Sequence, residues 1–194
     1  MLILAINTAE AACDVALVRG GDVLAEQRED LLRGQDGRLP ELVDEVLASH
    51  GATLGDLDRL AVVTGPGSFT GIRIGVAFVR GLALALDIPA IGITSLEAGL
   101  PPHMIGPAKA ALPAQKRPPD RTWWTQELQE GLGVTSVVET PENAIDPRDI
   151  ETATPRAAWA GLKAAALDPA ERPATPVYAR APEIHTPKPK KHDG

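Results

Sequence analysis

The sequence predicts an α/β fold in which the first hundred residues form one mixed sheet covered by helices. Three short strand-like segments come first, and helix-like and strand-like segments then alternate, in the order βββαβαβ. Successive strands of a meander pair antiparallel, whereas strands separated by a helix commonly pair parallel. These residues therefore predict a sheet that is antiparallel on one side and parallel on the other.

Apolar runs and one turn define the opening meander. Residues 2–6 are a continuous apolar run, which suits a central strand, and residues 14–18 and 23–27 are two shorter strand-like segments. A Gly-Gly-Asp turn joins the last two of them.

The alternating part begins with an amphipathic helix. Its apolar residues recur at the spacing i, i+3, i+4, i+7 and i+8, and Gly51 is placed to end it. These apolar residues are Leu39, Leu42, Val43, Val46 and Leu47. A buried strand over residues 60–63, a helix over 71–86 and a strand over 90–93 complete the predicted order.

Proline divides the chain into two parts of different character, because fifteen of the eighteen prolines lie at or beyond Pro101. We therefore predict an N-terminal lobe over residues 1–97, a smaller and incomplete proline-rich second lobe over 98–183, and a disordered tail over 184–194. Within the second lobe, residues 155–167 are typical of a helix.

The composition disfavours several classes of function. The formal net charge of -7 argues against a surface that holds nucleic acid by itself, and the aromatic residues are too few for a base-stacking platform. The single cysteine, Cys13, fits a reducing compartment. The N-terminus lacks a basic signal-peptide region, and no apolar stretch reaches the ~18 residues that span a bilayer. We expect a cytoplasmic protein without a membrane segment.

A glycine-rich loop, GPGSFTG at residues 65–71, precedes the second predicted helix. Because glycines and a helix N-terminus can bind an anion, one interpretation is a phosphate or nucleotide contact. That contact would use Gly65, Gly67, Ser68 and Thr70. The loop is not a Walker P-loop, since it has no Gly-Lys-Ser/Thr. The favoured interpretation is a tight turn in which Ser68 or Thr70 caps the helix.

The helix predicted over residues 71–86 is apolar on two faces. One face carries Ile72, Val76, Val79, Ala83 and Leu86, and the other carries Ile74, Phe78, Leu82 and Ala85. A sheet can cover only one of these faces, so the second face predicts a protein partner.

The same helix carries three glycines and two arginines. Gly71, Gly75 and Gly81 lower helix stability, a cost that is explained if they let a partner helix come close. Arg73 and Arg80 would pair with carboxylates across that interface, or would lie as solvated charges at the helix edge.

The sequence predicts no catalytic residue and no metal site. Its four histidines form no H-x-x-x-H or H-E-x-x-H pair, and Cys13 has no evident base beside it. Trp123 and Trp124 are adjacent in an extended segment, so they point to opposite faces and cannot sandwich one base. The lysines near the C-terminus are interpreted as part of a solvated tail.

Several of these segments together resemble the TsaB (YeaZ) family. The specific signature is GPGSFTGIRIG, and ILAINTA, LPELVDEVL, IPAIGITSLEA and PVYARAP support it. The similarity is dense over residues 1–97 and patchy beyond them. It implies a ribonuclease-H-like lobe of the ASKHA fold group, which includes actin, sugar kinases and Hsp70, and the order βββαβαβ is itself similar to such a lobe.

The resemblance implies an accessory subunit and not an enzyme. TsaB-like proteins pair with the catalytic subunit TsaD, and the ATPase TsaE joins them, to form threonylcarbamoyladenosine in tRNA, which the accessory subunit meets only through the complex. The implied heterodimer interface uses helices 39–49 and 71–86, and the same surface can form a homodimer. The predicted interface residues are Leu39, Leu42, Val46, Arg73, Ile74, Gly75, Phe78, Arg80, Gly81 and Leu82. No cofactor is intrinsic, and ATP or ADP would bind at the interface with TsaD.

Two departures from the family pattern and two alternative functions accompany the resemblance. The family often carries Asp where this chain has Asn7, and a neutral amide is a poor magnesium ligand. Many relatives have a histidine in the stretch that reads GQDGRLP here. The alternatives are an ATP-using small-molecule kinase, which would need phosphate-binding motifs in both lobes, and a homodimeric nucleotide-binding module.

Overall fold

The computed structural model describes residues 1–115 and 121–179, and within them the chain forms two five-stranded sheets and four α-helices. The first sheet has the strand order β3-β2-β1-β4-β5. Its strands are β1 (Leu2–Asn7), β2 (Ala12–Arg19), β3 (Asp22–Asp30), β4 (Arg59–Val63) and β5 (Ala90–Ile93). β1 pairs antiparallel with β2 and parallel with β4, and β4 pairs parallel with β5. The predicted order and the mixed sheet are thereby confirmed.

Strand β1 lies at the centre of the first sheet because both of its faces are apolar. All six of its residues are buried, as expected for a continuous apolar run with a strand on each side. The edge strand β3 is different, since its residues alternate between half-buried and exposed over its second half and include Glu26, Arg28 and Asp30. Charges on an edge strand oppose pairing with another chain.

Helices cover both faces of the first sheet. They are α1 (Gln35–Ser49), α2 (Phe69–Leu86) and α4 (Ala157–Ala164), whereas the short α3 (Ser95–Ala98) packs on the second sheet. On one face, Gly75 of α2 lies against Ile6 of β1. On the other, Gly161 of α4 lies against Ala5, the neighbour of Ile6. Since successive residues of a strand point to opposite faces, α2 and α4 enclose the sheet between them.

Helix α1 begins four residues before its first apolar position, within the GQDGRLP stretch. The amide Nε2 of Gln35, its first residue, donates hydrogen bonds to the carbonyl oxygens of Glu10 at 2.8 Å and Ala12 at 2.7 Å. Gln35 is buried and thus ties the start of α1 to the loop between β1 and β2. The sequence pattern missed this start because it followed apolar residues alone.

The C-terminal part of the chain returns to the first sheet. Helix α4 packs on β1, β2 and β4, and Pro173 forms an antiparallel bridge with Ile91 of β5. The backbone N–H of Val177 donates to the carbonyl oxygen of Thr64 at 2.8 Å. Residues 98–183 therefore do not all lie in a second lobe, as the proline distribution had predicted. The predicted tail, residues 184–194, lies outside the described residues.

The second sheet has a smaller core than the first. Its strands are β6 (Pro107–Gln115), β7 (Thr122–Gln129), β8 (Leu132–Gly133), β9 (Val138–Pro141) and β10 (Glu151–Thr152). Four of them follow the order β10-β6-β7-β8, and β9 pairs with β7. Its buried apolar residues are Leu96, Leu100, Ala110, Leu128 and Ala153. This sheet was the part of the fold that sequence reasoning left undefined.

Buried charges join the two sheets. The ammonium of Lys163, on α4, donates to the carbonyl oxygens of Glu97 at 2.5 Å, Leu100 at 3.0 Å and Gly131 at 2.8 Å. Burial lowers the pKa of Lys163 to about 8. The Glu97 carboxylate accepts from Arg172 at 2.6 Å and is itself fully buried. Because both Lys163 and Glu97 have hydrogen-bond partners, the junction is held by hydrogen bonds as well as by apolar contact.

Candidate partner surface and interlobe cleft

The glycine-rich loop turns the chain from β4 into α2. Gly65 has a φ of 103°, a backbone conformation that favours glycine, and its peptide bond to Pro66 is cis. Ser68 occupies the N-cap position, and its hydroxyl accepts a hydrogen bond from the backbone N–H of Gly71 at 3.2 Å. The predicted tight turn and serine cap are therefore confirmed.

Close contact with the end of β1 explains three of the glycines. A Cβ atom would lie 2.1 Å from the Ala9 carbonyl oxygen at Gly67 and 1.9 Å from the Thr8 carbonyl oxygen at Gly71. At Gly75 it would lie 2.4 Å from the Thr8 hydroxyl. All three positions thus lie against this chain's own first strand and the loop after it. The expectation that Gly71 and Gly75 admit a partner helix is wrong, and Gly75 is not an interface residue.

One of the residues predicted to contact phosphate, Ser68, is engaged within the chain. The Ser68 backbone N–H donates to the Ala9 carbonyl oxygen at 2.6 Å, and the Ser68 hydroxyl serves as the helix cap. The Gly65 carbonyl oxygen accepts from the backbone N–H of Ser95 at 2.8 Å. Thr70 is exposed. A phosphate contact by this loop stays a prediction, and one made through the Ser68 backbone N–H would require its hydrogen bond to Ala9 to be exchanged.

A cleft of about 630 Å³ opens beside the loop, between the two sheets. Its walls include Pro66, Gly67 and Ser68 on one side and Leu112 and Trp124 of the second sheet on the other. Its charged groups are Glu10, Arg28 and Asp30. Arg28 contacts Glu10 at 3.1 Å and Asp30 at 3.7 Å, so the basic group in the cleft is paired with carboxylates.

Asn7 and Asp14 fasten the start of α4 beside the cleft. The Asn7 amide donates to the carbonyl oxygen of Pro155 at 3.2 Å and accepts from the backbone N–H of Ala9 at 3.0 Å. Asp14 accepts from the backbone N–H of Ala157 at 2.8 Å, and burial raises the pKa of this carboxyl to about 6. Asn7 therefore has a structural role at the position where the family often has Asp.

The residues predicted on α1 do not face a partner. Leu39, Leu42 and Val46 are at most 1% exposed and lie in the core of the first sheet. The outward side of α1 is polar, and there Arg38 pairs with Glu29 and Glu45. These three interface predictions are wrong because helical periodicity identifies an apolar face without showing whether it faces the core or another chain.

Helix α2 does leave an apolar surface uncovered. Ile72, Val76 and Val79 are buried against the sheet, whereas Leu84 is 86% exposed. We call the outward side the α2 surface. It consists of the half-buried Ile74, Phe78 and Leu82 and the exposed Ala77, Gly81, Leu84 and Ala85. A Cβ atom at Gly81 would meet nothing within 4 Å. Small residues along its middle give this surface a shape that a second helix can approach closely.

An aromatic and cationic cluster borders the α2 surface at its N-terminal end. The Arg73 guanidinium lies 3.9 Å from the ring centroid of Phe69, and its Nε donates to the Tyr178 hydroxyl at 3.1 Å. The two ring centroids are 5.4 Å apart. We call Phe69, Arg73 and Tyr178 the anchor cluster. Sequence reasoning missed it because Tyr178 lies 105 residues from Arg73. Arg80, on the same border, is exposed.

By length and composition, α2 is the one helix among the described residues that could cross a membrane. The sequence had suggested that no stretch was long enough, but α2 reaches 18 residues, with Arg73 and Arg80 inside it. Core helices of other proteins meet the same criterion. In this fold α2 is placed by its contacts with the first sheet.

Cys13 and two histidines of the described residues lie in surroundings that do not activate them for catalysis. Cys13 is buried in β2, and burial raises the pKa of its thiol to about 11. His50 and His103 are exposed. Among residues 1–115 and 121–179, no group of three or more histidine, cysteine, aspartate or glutamate side chains is arranged to hold a metal ion.

The strand order β3-β2-β1-β4-β5, with helices on both faces, defines a ribonuclease-H-like protein of the ASKHA fold group, in which α2 leaves an apolar surface uncovered. Residues 32–114 match the family model of TsaD, tRNA N6-adenosine threonylcarbamoyltransferase. The chain is similar to proteins of the TsaB (YeaZ) family. The Escherichia coli protein TsaB, named for tRNA threonylcarbamoyladenosine biosynthesis, is 45% identical over 96 residues, and the Bacillus subtilis protein of that name is 39% identical over 97.

These alignments cover half of this chain, but only 41% and 42% of the two relatives. The chain therefore spans about two fifths of the length of the curated relatives that it matches. The similarity to a solved structure extends over more of this chain than these two sequence alignments do. A Pseudomonas aeruginosa protein described as similar to the peptidase YeaZ superposes with a TM-score of 0.72 and 26% identity, over 92% of this chain and 99% of that one. Its similarity extends to the second sheet, where the sequence resemblance was patchy.

Proposed function

We propose that this chain is a non-catalytic subunit that binds a TsaD-type enzyme and supports the formation of N6-threonylcarbamoyladenosine in tRNA. The observation that carries the proposal is the uncovered α2 surface, where apolar residues lie side by side and Leu84 is 86% exposed, because contiguous apolar patches mark interaction sites. The names of the curated relatives support the pathway, since they are biosynthesis proteins of this tRNA modification.

The proposed contact surface on α2 has small side chains at its centre and large apolar side chains at its edges. Ala77 and Gly81 in the middle allow a partner helix to approach closely, and Phe78 and Leu84 on either side supply apolar contact area. Arg73 and Arg80 border this area and favour a partner that carries carboxylates. The interface residues retained from the sequence are thus Arg73, Ile74, Phe78, Arg80, Gly81 and Leu82.

Catalysis is proposed to reside on the partner. The Cys13 thiol is buried with a raised pKa, so it is a poor nucleophile, and the Ser68 backbone N–H of the glycine-rich loop is engaged within the chain. In this proposal the chain has no cofactor of its own, and ATP or ADP at the joint surface is held chiefly by groups of the TsaD-type subunit. A TsaE-type ATPase joins the assembly, which meets tRNA in the cytoplasm, and the free chain can pair with itself through α2.

Mixing the purified chain with a TsaD-type protein tests the proposal. Size-exclusion chromatography with light scattering should give a one-to-one species whose mass is the sum of the two chains. The TsaD-type protein should form more threonylcarbamoyladenosine with the chain than without it. ATP turnover by this chain alone would support the kinase alternative, and separate elution of the two proteins would contradict the proposed pairing.

A further inference from the structure

We infer that Arg73, held by Phe69 and Tyr178, is the specificity-determining contact of the α2 surface and receives a carboxylate of the partner. This inference rests on the proposed function and adds the chemistry of recognition to it. It also gives the segment after α4 a part in partner binding, because Tyr178 belongs to that segment.

Exposure of the anchor cluster is the first observation. Phe69 is 47% and Tyr178 46% exposed, although both are large apolar side chains. Aromatic and arginine side chains that are preorganised and partly exposed are the types that contribute most to protein interfaces. The cluster adjoins the α2 surface, so a partner that covers Ile74 and Ala77 would also reach it.

The unused donors of Arg73 are the second observation. Its Nε donates to Tyr178, while within residues 1–115 and 121–179 it has no carboxylate within ion-pairing distance. Its terminal nitrogens therefore offer the fork of donors that binds a carboxylate in two parallel hydrogen bonds. Stacking on Phe69 fixes the plane of that fork before the partner arrives.

Backbone contacts hold Tyr178 in place. The neighbouring Val177 donates its N–H to Thr64 at 2.8 Å, and Pro173 bridges to Ile91. The hydroxyl of Tyr178 is then positioned to orient Arg73. Tyr178 is accordingly a positioning residue for Arg73, in addition to offering its own ring.

The charge pattern of α2 favours a different protein over a second copy of this chain. Between Phe69 and Leu86 the helix carries Arg73 and Arg80 and no acidic residue. In a symmetric contact of α2 with α2, Arg73 would meet no carboxylate of that helix, and like charges would approach each other. We therefore assign the surface to a partner helix that carries an aspartate or glutamate beside apolar side chains, on the TsaD-type subunit.

Affinity measurements with four variants test the inference. Titration calorimetry of the full chain against the TsaD-type protein should show a Kd raised about tenfold or more by Arg73→Gln and by Tyr178→Ala. Tyr178→Phe keeps the ring and should raise it less, by about threefold. Ile105→Ala, at a 93% exposed apolar residue outside the α2 surface, should leave it unchanged.

The salt dependence of the Kd shows whether Tyr178 acts by positioning the charge of Arg73 or only by packing against the partner. The Kd of the unaltered chain should rise with sodium chloride, and Arg73→Gln should flatten that rise because the ion pair is gone. Tyr178→Ala should flatten it in part, and circular dichroism should show folded variants.

The outcomes distinguish the two proposals. If the unaltered chain does not bind the TsaD-type protein, the proposed function and the anchor both fail. If the unaltered chain binds and the Arg73 and Tyr178 variants bind equally well, only the role assigned to the anchor cluster is overturned. A homodimer that Arg73→Gln dissociates, without binding to the TsaD-type protein, would show that the cluster recognises a second copy and would overturn the assignment of the partner.

Discussion

The carboxylate of Asp14 accepts a hydrogen bond from the backbone N–H of Ala157 at 2.8 Å, across 143 residues of sequence. Asp14 lies in β2 and Ala157 is the first residue of α4, so this bond fixes the helix to the sheet that it covers. The carboxylate is buried, and it lies 3.7 Å from Arg28 at the edge of the cleft. Its protonation therefore bears on how firmly α4 is held.

Asp14→Asn should change how stability depends on pH. Burial raises the pKa of folded Asp14 from 3.8 to about 6, so the folded chain holds this proton more tightly than the unfolded chain does. The stabilising contribution is complete below about pH 4 and is lost as the pH rises through 6. At about 1.4 kcal/mol per pH unit, the loss is at most about 3 kcal/mol. Because asparagine cannot ionise, the Asp14→Asn variant should not lose this stability as the pH rises.

Urea denaturation between pH 4 and 7 measures this difference. The matched control is Asp30→Asn, which also removes a carboxylate beside Arg28 but at an 88% exposed side chain. It should keep the pH profile of the unaltered chain. Identical pH profiles for Asp14→Asn and the unaltered chain would contradict the assigned role of Asp14.

Alanine at Gly71 and at Gly81 should have opposite effects on the free energy of unfolding. At Gly71 the new Cβ would lie 1.9 Å from a carbonyl oxygen, and relief of that clash should cost about 2–4 kcal/mol. At Gly81 the space is open, and the better helix propensity of alanine should stabilise by up to about 1 kcal/mol. Chemical denaturation of both variants checks the pair, and equal effects would refute the close packing at Gly71.

Gly81→Leu should weaken binding to a TsaD-type protein by about tenfold or more while the chain stays folded, because leucine would hold the two helices apart. Gly75→Leu is unsuitable for this purpose, since its side chain would collide with Thr8. Ala166→Leu, at an exposed residue after α4 on the other face of the sheet, is the control and should bind normally. Unchanged binding by Gly81→Leu in calorimetry would remove α2 from the interface.

Cys13 should react very slowly with a thiol reagent in the folded chain. With its pKa raised to about 11 by burial, only about one thousandth of the thiol is ionised at pH 8, and it is shielded as well. Ellman's reagent should label the protein fully in urea and negligibly without it. Fast labelling of the native chain would mean that the thiol is accessible, and would reopen the question of a reactive cysteine.

Lys163→Met should destabilise the junction of the two sheets. It leaves three buried carbonyl oxygens, those of Glu97, Leu100 and Gly131, without their shared donor, at a cost of about 2–4 kcal/mol. Hydrogen exchange should quicken around Gly131 in particular. Lys109→Met, at a half-buried lysine of β6, should change neither the stability nor the exchange.

Local patterns predicted the first sheet well because its order follows from apolar runs, turns and helix periodicity. They could not tell that the apolar face of α1, with Leu39 and Leu42, belongs to the core, since a core face and an interface have the same period. Gly75 was misassigned for a related reason, because its neighbour Thr8 is distant in sequence. The anchor cluster and the Lys163 junction depend on contacts between distant segments, which one sequence does not reveal.

The return of α4 to the first sheet governs how the N-terminal half can be studied in isolation. A fragment that stops at residue 97 would lack Gly161 and its neighbours, so Ala5 and Val18 would lose their cover and face water. Such a fragment would tend to aggregate through that bared face. Pull-down results obtained with it would report the wrong side of the sheet, and interaction mapping should therefore use point variants in the intact chain.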